Sequence, residues 1–273
     1  MSPTPDRFTF PIKIDDPKRS SPILYWLIAV VLILYASTAS SDIHATQILS
    51  GGLSNSSRFG PALLTALITA SAVWHWSGRW WVLLASFFPQ LTFAEFEPSY
   101  TIALPLLGLL LYTIFVPPAE YALSYPDDPP HPKQKWWVDL ITLLLLAFRP
   151  QAAALSAVVV WMRSANKWLV GGMIVALIGA FFLLPASLTA PLLAVATPVA
   201  NPWVGWAIFA GIILLLIGIG QRDVLISAAS TFLFLPTLSW SILLTPAVVL
   251  AVRLPLVFVV VSLALWLGTM FLN

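Results

Sequence analysis

The chain has 273 residues, of which 59% are hydrophobic and only 9% charged, and its formal net charge is +2. That balance excludes an ordinary soluble domain, where about 25% of residues are charged, and so small a charge carries no signal for a nucleic-acid partner. With no cysteine there is no disulfide, thiolate chemistry or cysteine-held metal, and the GxGxxG, Walker, HExxH and GxSxG patterns are all missing.

Residues 1–22 are polar and proline-rich, with Arg7, Lys13, Lys18 and Arg19 ahead of the first apolar run. Asp6, Asp15 and Asp16 make this stretch too acidic for an ordinary signal n-region. It reads as a cytoplasmic tail followed by an uncleaved anchor. From Ile23 onward long apolar runs recur, and they predict membrane helices near 23–39, 61–77, 80–94, 99–116, 136–148, 150–162, 168–188, 203–220, 223–237, 240–252 and 254–271. Helices are expected because each satisfies its own backbone hydrogen bonds in lipid, and the runs lack the alternation of a membrane barrel. The predicted fold is all-α: a polytopic transmembrane bundle of about 11 helices, with residues 23–273 forming one membrane domain. Residues 117–135 make a proline-rich cytoplasmic loop, extended in character. That loop reads as a connector, with docking of a membrane-complex partner as the alternative.

Charge orients the bundle. With the N-terminus inside, eleven of the thirteen basic residues fall on the cytoplasmic side, and only Arg58 and Arg149 remain outside. Reading 136–162 as one kinked helix would send Arg163, Lys167, Arg222 and Arg253 outside, so a short hairpin turning at Arg149-Pro150 is the better reading. Its first arm, about 13 residues at 1.5 Å each, reaches about 20 Å against a core of about 30 Å, which leaves Arg149 recessed. The pairs Trp80/Trp81 and Trp136/Trp137, with Trp161 and Trp168, fit an inner interfacial belt.

Arg149 stands in Leu146-Ala147-Phe148-Arg149-Pro150-Gln151, flanked by bilayer-grade apolar sequence. A charge at that depth costs roughly 2.5–3.5 kcal/mol on insertion scales, so it is expected to face a cavity, a partner or an anionic ligand. The plainer alternative is an arginine that snorkels to the interface or caps a helix. The same topology puts Asp42, Glu95 and Glu97 outside with Arg58 and Arg149. A carboxylate there can take the proton from an attacking hydroxyl while an arginine stabilises a departing phosphate. Exposed loops also carry such charges simply for solvation. Asp42, Glu95 and Glu97 could instead hold a divalent cation, though no DxD-like motif is present, and no other cofactor is expected. His44 could assist a base, and a solvated loop histidine is its simpler reading.

The first outer loop runs Asp42-Ile43-His44-Ala45-Thr46-Gln47-Ile48-Leu49-Ser50-Gly51-Gly52, and Phe59-Gly60-Pro61 opens the second run. It resembles the first loop of GT-C membrane glycosyltransferases. The Phe148-Arg149-Pro150-Gln151 block, ending in the basic turn Arg163 to Lys167, resembles the Lys-Pro-Gln hairpin of glycosyltransferase family 87. Leu235-Pro236-Thr237-Leu238-Ser239-Trp240 resembles that family's Ser-Pro-x-x-Trp entry to a late span. The three blocks keep the family's order. They depart from it in having Arg149 for lysine, Leu235-Pro236 for Ser-Pro, and short outer loops. The resemblance implies transfer of a sugar, typically mannose, from a polyprenyl-phosphate donor to an acceptor on the non-cytoplasmic face. It implies Asp42 as general base, and Arg149 and Gln151, with Arg58, on the donor phosphate. His44, Glu95, Glu97 and Trp240 would line the acceptor cavity. The short loops and sparse charge leave two alternatives: a non-catalytic scaffold or accessory subunit, and a lipid or small-molecule transporter. Polyprenyl-phosphate-linked sugar and membrane lipids are the expected partners.

Overall fold

The structure, a computed structural model, describes residues 21–39, 56–83, 103–116, 135–183, 185, 199–200, 204–235, 237–238, 240–253 and 258. Among these the chain is helical apart from one short bridge. The helices are α1 (Pro22–Ala39), α2 (Ser56–Trp76), α3 (Leu104–Phe115), α4 (Trp136–Ala147), α5 (Pro150–Ala153), α6 (Ser156–Arg163) and α7 (Lys167–Leu183). They continue with α8 (Val204–Gln221), α9 (Val224–Thr231), a 3-10 turn (Phe232–Phe234) and α10 (Trp240–Arg253). The all-α class read from the sequence holds. The apolar runs did not predict the bridge, in which β1 (Val199–Ala200) pairs antiparallel with β2 (Thr237–Leu238), Val199 opposite Leu238.

The helices do not all match the apolar runs that specify them: α2 is longer than the run at 61–77, and the run at 223–237 gives α9 only as far as Thr231, with a 3-10 turn after it. Within the run at 99–116, α3 carries Pro105 in its first turn, a position that tolerates its missing N–H. For the run at 168–188, α7 covers Lys167–Leu183. The run at 150–162 is divided into α5 and α6 by Ala154–Leu155. With α7 at 17 residues and α8 at 18, the long apolar helices reach only about 26–27 Å at 1.5 Å per residue. Among the described residues no helix is long and apolar enough to cross a membrane by itself.

The turn at Arg149 is a true chain reversal. The Ser164 hydroxyl, at the end of α6, donates to Asp139 in the first turn of α4 at 2.6 Å, closing the base of the hairpin across 25 residues. A continuous helix would hold those residues nearly 40 Å apart, on the order of 1.5 Å for each residue between them. Around this hairpin, α1 packs on α2, α2 on α3, and α3 on α4, while α4 and α6 both meet α7. On the other flank α8 lies along α9. The short α5 sits in the middle, touching α3, α4, α9, α10 and the 3-10 turn.

Small residues set the close crossings of the helices. At Gly108 of α3 a Cβ would come within 3.1 Å of the Leu145 Cβ and 3.3 Å of the Thr142 carbonyl on α4. Gly218 of α8 is tighter: a Cβ there would collide with the Ser227 hydroxyl and come within 2.8 Å of its backbone nitrogen. Gly218→Ala is therefore expected to lower stability by roughly 1–3 kcal/mol, the usual cost of overpacking. Thermal unfolding in detergent measures it, and an unchanged midpoint contradicts the crossing.

The interior and surface are distributed in an unusual way. Thr142, Ser156, Ser227, Ser230 and Thr245 are fully buried, whereas Phe182 is 86% and Trp206 78% exposed. On α8, Phe209, Ile213 and Leu216 also face outward, each more than half exposed.

Candidate functional site

The two ends of the bundle differ in chemistry. At one end a series of contacts ties helix termini together. The Trp76 indole donates to the Thr113 hydroxyl at 2.8 Å, and the Phe115 ring meets Trp137 edge-on at 5.5 Å. The Arg163 guanidinium lies over the Tyr112 ring at 5.6 Å and donates to the Arg222 carbonyl at 3.4 Å. Arg253 pairs with one oxygen of Asp223. The other Asp223 oxygen accepts from the Leu225 and Ile226 amides at 2.8 and 3.3 Å, capping α9. Through these contacts Arg79, Lys135, Arg163, Lys167, Arg222 and Arg253 come to lie on one face. Charge bias alone had already grouped them there.

The turn between α8 and α9 sits on this face. Gly218 accepts from the Asp223 amide at 2.8 Å and Ile219 from the Arg222 amide at 3.1 Å, the paired bonds of a Schellman stop. Arg222 has φ 52, a left-handed conformation that costs a non-glycine residue roughly 1–2 kcal/mol.

The hairpin tip lies at the opposite end. Arg149 is only 3% exposed and precedes α5 with φ −144 and ψ 73. Pro150 then opens the helix, and the Ala152 amide donates to the Arg149 carbonyl at 3.0 Å. The tip is pinned to α9 where the Leu155 amide donates to the Thr231 hydroxyl at 3.2 Å. Gln151, half-buried, follows on the same turn, and both Arg149 and Gln151 are engaged in interactions of their own. A buried guanidinium must be compensated, since desolvating a charge costs several kcal/mol on the order of magnitude seen for ions in proteins.

Of the residues singled out in sequence, the structure brings Arg149 and Gln151 into the interior together. α5, which follows Arg149, packs on the 3-10 turn and on α10. The elements bearing the 146–151 and 235–240 blocks are thus neighbours. Arg58 is in the first turn of α2, at the end away from the basic face, and Trp240 is the first residue of α10. Asp42, His44, Glu95 and Glu97 lie outside the described residues, as does the alternative cation site. Among the described residues no group of acids and histidines could hold a metal.

Asp139 and Asp223 stand near the starts of α4 and α9, and each has a partner distant in sequence. Asp223 ahead of an apolar run is a recognisable N-cap; nothing in the sequence signals that Ser164 would meet Asp139. An apolar groove of about 260 Å³ also went unforeseen, between α1, α2 and α3, where Trp26, Trp74, His75, Leu110 and Ile114 line it. The Trp26 indole donates to the Ser71 hydroxyl there at 3.0 Å.

No protein-family model, curated protein or solved structure matches this chain.

Proposed function

We propose that this chain is a polytopic membrane protein that transfers a sugar, mannose by the resemblance of its motifs, from a polyprenyl-phosphate donor to an acceptor hydroxyl on the non-cytoplasmic face. The observation that carries the reading is Arg149: a guanidinium 3% exposed at the tip of an interior hairpin, beside the elements that carry the late motif block. An arginine fork suits phosphate oxygens bidentately, and in a low-dielectric interior its stabilisation of a departing phosphate is enhanced. Gln151 and Arg58 assist it on the donor. Asp42 takes the proton from the acceptor hydroxyl, and His44, Glu95, Glu97 and Trp240 shape the acceptor side.

Embedding in a membrane is supported by the inverted surface. Helices α7 and α8 present Trp206, Phe209, Phe182 and Leu183 outward, while small hydroxyls fill the interior. An apolar exterior of that extent is stable against acyl chains and unstable against water. Helices of about 26–27 Å are accommodated by local thinning of the bilayer or by flanking residues that reach the interface.

The test is incubation of the purified protein with polyprenyl-phosphate sugars and mass spectrometry of the products, with a sugar-bearing acceptor expected. Absence of transfer from every donor would favour a second reading, a non-catalytic scaffold. One observation supports that second reading: the groove between α1, α2 and α3 lies away from Arg149.

A further inference from the structure

We propose that the basic face binds anionic phospholipid headgroups, so that the protein selects acidic lipids in the leaflet this face touches. The proposal rests on the membrane reading above and is independent of sugar transfer.

The face is built in a repeated way. Three helix ends carry a cation followed at once by a tryptophan: Arg79-Trp80, Lys135-Trp136 and Lys167-Trp168. All three cations are exposed, and the rings are 50%, 54% and 92% exposed in that order. Arg222, also exposed, adds a fourth cation at the α8–α9 turn. The described acids of this face are turned inward. Asp139 has no exposure and receives the Ser164 hydroxyl. Asp223 is 15% exposed and is occupied by Arg253 and the α9 amides. Arg163 likewise bends inward, to the Tyr112 ring and the Arg222 carbonyl. Among the described residues of this face Asp139 is buried and Asp223 is paired with Arg253, so their exposed charge is positive.

Each cation–tryptophan pair suits a phospholipid headgroup. The cation meets the phosphate, and the indole lies at the headgroup level with an apolar body and an N–H donor. Zwitterionic headgroups offer the same phosphate with an attached cation, so net attraction requires an acidic lipid. A lysine or arginine near such a surface contributes roughly fivefold in association, the equivalent of about 1 kcal/mol.

The intact protein, reconstituted in vesicles, tests this through quenching of its own tryptophans by brominated phosphatidylglycerol or brominated phosphatidylcholine. Phosphatidylglycerol is expected to quench with an apparent association at least about fivefold stronger, and the preference is expected to shrink as salt rises to about 0.5 M. Combining Arg79→Gln, Lys135→Gln, Lys167→Gln and Arg222→Gln should abolish the preference, whereas Lys135→Arg with Lys167→Arg should keep it. Arg149→Met, remote from this face, should also keep it. Equal quenching by the two lipids overturns the proposal, and so does a preference that survives the four glutamines. Quenching by neither lipid overturns the membrane reading itself.

Discussion

Arg149→Met is expected to abolish donor binding and sugar transfer, while Arg149→Lys keeps part of both. Removing one partner of a buried charge-assisted contact costs about 2–5 kcal/mol, a weakening of roughly 30- to 4,000-fold. Lysine retains the charge but loses the planar fork, so it recovers only the point-charge part. The stability of the variant separates function from architecture. Arg149 already has interactions within the fold, and removing one partner of a buried charged contact is destabilising, so Arg149→Met is expected to lower the thermal midpoint in detergent while Arg149→Lys keeps most of it. If Arg149→Met unfolds the protein, and Arg149→Lys restores the fold without affecting donor binding, then Arg149 is a structural charge and the phosphate site is lost.

Asp42→Asn is expected to lower transfer by roughly 10²–10⁴-fold, the usual contribution of a general base, with donor binding unchanged. Asparagine keeps the size and hydrogen-bonding capacity of the side chain and loses only its basicity. On the proposed function donor binding belongs to Arg149, Gln151 and Arg58, so the two variants are expected to fail in different ways: one unable to bind, the other bound but inactive. Undiminished transfer by Asp42→Asn would move the base to Glu95 or Glu97.

The hairpin connects the two ends of the molecule. Its tip carries Arg149 and its base is closed by Ser164 and Asp139 at 2.6 Å, beside the arginines of the basic face. The position of the buried guanidinium is consequently set by a polar contact at the far end of the same unit, and the tip is held laterally by the Leu155–Thr231 bond.

Several of these features were legible in the sequence because their causes are local or additive. Helical class follows from apolar runs whose backbones must satisfy themselves. The reversal at Arg149-Pro150 and the gathering of Arg79, Lys135, Arg163, Lys167, Arg222 and Arg253 on one face follow from counting charges along the chain. The run at 223–237 reads as one helix, whereas α9 ends at Thr231 and a 3-10 turn follows, because apolar composition does not register where the backbone geometry changes. The tertiary structure alone decided that Arg149 lies in the interior, that α5 meets the 3-10 turn and α10, and that β1 pairs with β2. It alone showed that Ser164 finds Asp139 and that Arg253 finds Asp223. Those contacts join residues 25 and 30 positions apart, and small residues such as Gly108 and Gly218 permit them by letting helices cross closely. Periodicity and charge constrain each helix separately, but which helices come into contact depends on how their surfaces fit.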